Sequence, residues 1–312
     1  MEEQERTETI PQEKFIIEGC REGEAEQMAR PHIGYVRDAW RRFRKNKVAL
    51  IAFIILCILV FLTIFGPSIS GYAFEEMDKT ARNQGPSAAH WFGTDKLGRD
   101  LFARVWQGGR VSMLIGLTGA LVSSVIGCIY GGIAAYFGGI VDDVMMRIVE
   151  ILISVPYLIV VILLSVVLQS KSIGTLILAL TLTGWCGVAR LVRAQMLQIK
   201  SQEFVMAANC LGVSSRRIIL RHLLPNTISV VIVTITFDIP GYIFSEAFLS
   251  YIGLGVQAPD TSWGALASLA QANFTFYPYQ LFFPSLMIAL TMLAFTLMGD
   301  GLRDALDPRL RT

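Results

Sequence analysis

Glu203–Asn226 reads EFVMAANCLGVSSRRIILRHLLPN. The stretch is too charged to sit in lipid and too regular to be a slack loop. Phe204, Ala207, Ala208 and Leu211 recur at i, i+3, i+4 and i+7, one face of a short helix. The two alanines keep that face shallow, so another surface can approach closely. Gly212 stands where a helix commonly ends in a left-handed turn. Ser214 is placed to N-cap a second helix over Ser215–Leu224, and Pro225 is placed to end it. The expected product is a bent helix pair, 203–224, that presents Arg216, Arg217 and Arg221. On these residues alone two readings stand: an element that fits a groove on a partner protein, and a plain loop whose arginines only set topology.

Both flanks of this stretch are hydrophobic. Of 312 residues 53% are hydrophobic and 17% charged, against roughly 25% charged in ordinary soluble domains. The deficit comes from uncharged runs: 18 residues in Val48–Phe65, 30 in Val111–Ile140, 20 in Ile151–Ser170, 18 in Ser172–Ala189 and 39 in Thr261–Gly299. About 20 apolar residues cross a bilayer as a helix, and lipid offers no partner to an unpaired backbone group. Six spans are expected, at about 48–67, 111–137, 148–168, 173–190, 227–249 and 281–299. The fifth is interrupted by Asp238 and Glu246. The alternating pattern of a membrane β-barrel is absent.

Six spans place both termini on one side. With that side taken as the cytoplasm, inside segments near the membrane hold 16 Lys and Arg and outside segments 7, so both termini are expected inside. The insert is then cytoplasmic, and the loops 68–110 and 250–280 are external. The first 30 residues are polar and rich in Glu, read as a disordered tail rather than a cleavable signal. His32–Lys47, within a segment 31–47, places Tyr35, Val36, Ala39, Trp40 and Phe43 at helical spacing with cations opposite. It is read as an amphipathic helix at the membrane interface, or as a plain positive-inside anchor. Gly127 and Gly131 form a pair suited to close helix contact; Pro156 is read as a kink.

Several chemistries are not expected. Five cysteines lie in spans or predicted cytoplasm, where disulfides are uncommon, and three histidines are scattered, so no metal site is expected. No GxxxxGK[ST] loop is present, so any ATP is handled by a partner. No catalytic residues, no cofactor in this chain and no nucleic-acid partner are expected.

The insert resembles the coupling signature of ABC-importer permeases, EAA-x3-G-x9-I-x-LP. Ala207, Ala208, Gly212, Leu224 and Pro225 match at the right spacing; Met206 replaces the acid, with Glu203 three residues earlier, and His222 replaces the isoleucine. These departures are similar to the dipeptide and oligopeptide branch. FGTDKLGRD (Phe92–Asp100), SEAFLSYIGLGVQAPDTSWG (Ser245–Gly264) and GDGLRDALDPRLR (Gly299–Arg311) also match that branch, and the resemblance covers roughly residues 33–312. It implies an all-α, six-span type I permease, of the "C" kind, in a bacterial cytoplasmic membrane. It also implies a second related permease, two ATP-binding subunits carrying ATP–Mg, and an extracytoplasmic substrate-binding protein. Glu203, Phe204, Ala207, Ala208, Gly212, Ser214, Arg216, Arg217, Arg221, Leu224 and Pro225 would couple the chain to the ATPases, with di- or oligopeptides as cargo.

The remaining candidates rest on charge and position. Asp238 and Glu246 are intramembrane acids, which are costly and face a cavity or a partner. They are candidates for the substrate path, where they could meet a peptide ammonium, or else for a hydrogen bond to the second permease or binding protein. Asp95, Arg99 and Asp100 are candidates for binding-protein docking or for local pairing and capping, and Trp263 for docking from the second outer loop. The charged end Asp300, Arg303, Asp304 and Asp307 is read as an anchor at the inner surface. Nickel chelates or glutathione are the alternative cargo. An ion channel would need a filter or pore ring and does not call for the insert; a membrane enzyme would need a catalytic constellation, and no span contains histidine.

Overall fold

The computed structural model describes residues 35–170 and 172–306. Over them the regular secondary structure is all helix, with loops at 70–100 and 252–262 and one isolated antiparallel bridge between Thr94 and Asp100. The expected tail 1–30, residues 31–34 of the amphipathic segment and Asp307 lie outside the described residues.

Local chemistry sets the helix boundaries. Helix α1 (Tyr35–Lys45) stops before Asn46, whose Oδ1 accepts the Ala49 amide at 3.1 Å and caps α2 (Lys47–Ile69). Phe43 is buried, and Met298 and Leu302 pack against it and Ala305, so α1 is pinned to the last described helix; Trp40, Arg37, Arg41, Arg44 and Lys45 stay exposed, while Arg42 is half-buried and paired with Asp38. Asp100 Oδ1 accepts the Ala103 amide at 2.8 Å and starts α3 (Leu101–Phe137), ten residues earlier than the uncharged run indicates. Arg104 and Arg110 ended that run without ending the helix: Arg104 is paired with Asp95, and Arg110 donates to the Thr63 carbonyl at 2.7 Å. At 37 residues α3 is about 55 Å long.

Gly138 and Gly139, at φ +66° and +54°, turn the chain from α3 into α4 (Gly139–Ser154). The third expected span is not one straight helix. It breaks at Val155–Pro156, and α5 (Tyr157–Val167) leaves at 80° to α4. Proline bars its predecessor from helical backbone, and Val155 sits at φ −83°, ψ 122°. Then come α6 (Ile173–Lys200), α7 (Glu203–Cys210), α8 (Ser215–Ile218) and a π-helical turn (Ile219–Leu223). They are followed by α9 (Leu224–Tyr251), α10 (Trp263–Gln271) and α11 (Pro278–Leu306). The loop expected at 250–280 thus contains α10. Among the described residues five helices are long and apolar enough to cross a membrane, six if α4 and α5 count as one broken span.

Helices α3 and α6 make the most extensive contact in the bundle. A Cβ on Gly131 would stand 2.2 Å from the Ala189 carbonyl oxygen, and one on Gly127 2.6 Å from Val188 Cβ. The small pair therefore works as expected: it lets two backbones touch. Helix α9 packs beside both, and α11 packs against α9 and α2.

Candidate functional site

One end of the bundle carries the insert. Helix α7 closes with the Val213 amide donating to the Ala208 carbonyl at 3.1 Å across Gly212 at φ +74°. This is the glycine-terminated geometry expected. Ser214 then offers its carbonyl to the amides of Arg217 (2.9 Å) and Ile218 (3.1 Å) as α8 begins. The expected stop at Pro225 does not occur. The Leu224 amide reaches back to the Ile219 carbonyl through the π-helical turn, and Pro225 lies in the first turn of α9. First-turn amides have no helical acceptor, so proline is tolerated there. Insert and fifth span are one continuous helical path.

Val205, Ala208, Ile218 and Leu223 are buried. Val205, Ile218 and Leu223 pack into a core with Ala135 of α3, Val192 and Met196 of α6 and Val231 of α9. The apolar face expected over Phe204, Ala207, Ala208 and Leu211 is therefore split. Ala208 turns inward beside Val205, while Phe204 (44% exposed), Ala207 and Leu211 (83%) face out, with Met206 (49%) added. Glu203, Ser214, Arg217, Arg221 and Pro225 are also exposed, and Leu224 is half-buried. The side chain of Arg216 lies outside the described residues.

Two contacts that charge spacing alone did not announce hold this platform. Arg193 of α6 forks onto Asp142 of α4, with Nε and Nη2 each 2.5 Å from a carboxylate oxygen. Lys200 Nζ donates to the Tyr136 carbonyl at 2.7 Å, capping the end of α3.

The other end is built on buried polar groups. Asp95 Oδ1 accepts the amides of Leu97 (2.8 Å) and Arg99 (3.0 Å), and Oδ2 takes Arg99 Nε at 2.8 Å and the Arg104 guanidinium. Burial pushes the Asp95 carboxyl up. The Arg104 charge, the Arg99 amide and charge and the Leu97 amide outweigh it, and the group is held below the ordinary 3.8. Asp100 caps α3 with one oxygen and meets His90 Nδ1 at 2.9 Å with the other. Gln280 Nε2 donates to Asn83 Oδ1 (3.0 Å) and the Thr94 carbonyl (2.9 Å), and Phe92 stacks on Phe283 at 3.9 Å. The segment 68–100 is thereby clamped to α11.

Asp95, Asp100 and Arg99, candidates for docking, are thus engaged inside the chain, with Arg99 half-buried and Lys96 exposed. Trp263 is 0% exposed: its Nε1 donates to the Val105 carbonyl at 2.8 Å and its ring lies over Gly109. A docking role for its side chain does not fit this position.

The two acids of α9 part company. Glu246 is 0% exposed and accepts Ser112 Oγ and Ser250 Oγ, each at 2.7 Å. Ser112 Oγ accepts the Trp263 amide at 3.2 Å and Ser250 Oγ the Val256 amide at 3.3 Å, so the carboxylate organises the loop before α10. As a substrate-path candidate Glu246 has no opening. Asp238 is half-buried, and its carboxylate has no hydrogen-bond or ion-pair partner among the described residues.

Comparison with known proteins agrees with this architecture. Residues 123–312 match the family described as "Binding-protein-dependent transport system inner membrane component", and 34–86 match the "N-terminal TM domain of oligopeptide transport permease C". The chain is 48% identical to the dipeptide transport system permease protein DppC of Bacillus subtilis, over 97% of this chain and 94% of that one. It is 46% identical to the oligopeptide transport system permease protein OppC of the same organism, over 97% and 99%. The glutathione transport system permease protein GsiD of Escherichia coli O6:K15:H31 is 41% identical over 87% and 90%. Among solved structures, an inward-facing MetNI methionine ABC transporter chain matches with TM-score 0.54 at 18% identity, over 66% of this chain and 96% of that one, a likeness of fold. With a family match over 190 of 312 residues and near-full-length relatives, the chain belongs to the binding-protein-dependent transport system inner membrane components: it is a membrane transport permease subunit.

Proposed function

We propose that this permease carries dipeptides and oligopeptides across a bacterial cytoplasmic membrane, driven by ATP hydrolysis on separate subunits. The observation that carries the reading is the charged helical insert at one end of the bundle, in which Phe204, Met206 and Leu211 are exposed together with Arg217 and Arg221. Exposed large apolar side chains grouped with arginine suit a protein partner. In this reading the insert and both termini face the cytoplasm, and two ATP-binding subunits carrying ATP–Mg seat on α7 and α8. A second, related permease completes the path, and an extracytoplasmic binding protein delivers cargo at the opposite end. In this reading catalysis and ATP–Mg belong to the partner subunits rather than to this chain. The path for cargo runs past Asp238, and motion of the docked insert passes into α9 as rigid-body movement.

Glutathione is the second reading of cargo, favoured by the 41% identity to the GsiD permease. The test is purification of this chain from its native membrane in mild detergent, with mass spectrometry of what accompanies it. A second permease and one or two ATPases support the importer, and uptake of tripeptide against glutathione by that reconstituted complex separates the cargoes. Recovery of the chain alone, under conditions that keep other transporters whole, sinks the reading.

A further inference from the structure

Helix α9 carries Thr234, Asp238, Gly241 and Ser245 at i, i+4, i+7 and i+11, one face of the helix. All four are at least partly exposed, and a Cβ on Gly241 would meet nothing within 4 Å. Elsewhere on α9, apart from Tyr251 at its last position, the exposed large side chains are apolar: Ile228, Ile232, Phe244 and Phe248. A lipid-facing surface has no use for a polar strip of this kind, and a carboxylate in a span is costly unless something outside the chain meets it. The neighbouring polar group is already engaged: Tyr242 Oη bonds Ser123 Oγ at 2.5 Å. Thr234 Oγ1 is likewise engaged, donating to the Val230 carbonyl at 2.8 Å. What remains is one carboxyl group beside open space, with no donor among the described residues turned to it.

We infer that this strip, centred on Asp238, is the permease's own station for a protonated amine on the cargo. The inference rests on the importer reading above and adds that selection for a free amine is exercised inside the membrane path. A carboxylate flanked by a small residue and hydroxyl-bearing side chains complements an ammonium by charge and by acceptor count.

The experiment uses the complete importer with its binding protein, reconstituted in proteoliposomes. Uptake of a tripeptide is compared with uptake of its deamino analogue, in which hydrogen replaces the N-terminal amine. Asp238→Asn is expected to lower the amine-to-deamino uptake ratio at least tenfold, and Asp238→Glu to keep it within about threefold of wild type. In the wild-type complex, a tripeptide with a photoreactive diazirine on its N-terminal side chain is expected to cross-link within residues 234–245. An unchanged ratio in Asp238→Asn, or cross-links confined to other helices, would overturn the station while leaving the importer standing. Loss of the second permease from the purified Asp238→Asn complex would overturn it too, marking the carboxylate as an assembly contact. A wild-type complex that moves no peptide would bring down the importer reading and the station together.

Discussion

Glu246 shows how this chain keeps a charge-bearing group inside a span without a cation. Two serine hydroxyls satisfy its oxygens, and those hydroxyls in turn hold the amides of Trp263 and Val256. Truncation would orphan Ser112 and Ser250 together, and an unsatisfied buried polar group costs about 1–3 kcal/mol. Glu246→Ala is therefore expected to lower the unfolding temperature of the detergent-solubilised chain more than Glu246→Gln, which keeps one acceptor. Equal loss in the two variants would mean that the hydroxyls find other partners. Asp95 works by the opposite device, cations gathered around an ionised carboxylate. Its folded-state pKa lies below the ordinary 3.8, so its contribution is present above that value and fades as pH falls through the depressed one. Protease cleavage within 68–100 is expected to rise in wild type only below about pH 3.8, whereas Asp95→Asn shows the rise already at neutral pH. A wild-type profile flat into the acid range would remove Asp95 from this role.

At the scale of elements, how far residue order alone reaches depends on what each boundary rests on. The Gly212 turn and the Gly127–Gly131 contact follow from the absence of a side chain, a strictly local property, and both stand where the pattern places them. The start of α3 does not follow from hydropathy, because Arg104 and Arg110 are paid for by Asp95 and by the Thr63 carbonyl, partners far from the pattern being scanned. The same holds for Ala208, whose inward turn is decided by a core drawn from α3, α6 and α9. At the candidate site, the insert's arginines and the two acids of α9 can be picked out by type, and Glu246 falls within the Ser245–Gly264 block, but the hydroxyls that close around it come from Ser112 and Ser250, which the local pattern does not bring together. Two predictions belong here. Gly131→Leu forces a side chain into the Ala189 backbone, and folded protein is expected to be lost, while Gly187→Ala, with nothing within 4 Å, is expected to be neutral; expression and gel filtration separate them. Gly212→Val meets no atom but is held in left-handed backbone, which costs about 1–2 kcal/mol. It is expected to insert normally yet lose most uptake, and wild-type uptake would remove the turn from coupling.

At the scale of the whole molecule, α3 spans about 55 Å and separates two differently built ends. Near its start, segment 68–100 is tied to α3 by Asp95 and to α11 by Gln280 and Phe92; near its finish, α7 and the turn after it leave Phe204, Met206 and Leu211 exposed. If the insert faces the cytoplasm, then in a chain whose native cysteines, the exposed Cys210 among them, are replaced by serine, Leu211→Cys is expected to react with a membrane-impermeant maleimide only in inverted vesicles, and Lys96→Cys only in intact cells. The opposite labelling would reverse the orientation. The π-helical turn leaves no loop between α8 and α9, and inside α9 Pro240 lacks the amide that would complete the helical ladder, the place where a hinge is expected. Leu224 lies about 24 Å from that joint and Asp238 about 3 Å, at 1.5 Å per residue. With a hinge there, a sideways push of about 5 Å at the insert would become a swing of about 12°, carrying the Asp238 backbone only about 0.6 Å. The carboxyl would then pivot almost in place, like a key turning in a lock, so such a stroke would change the direction the group faces rather than where it stands.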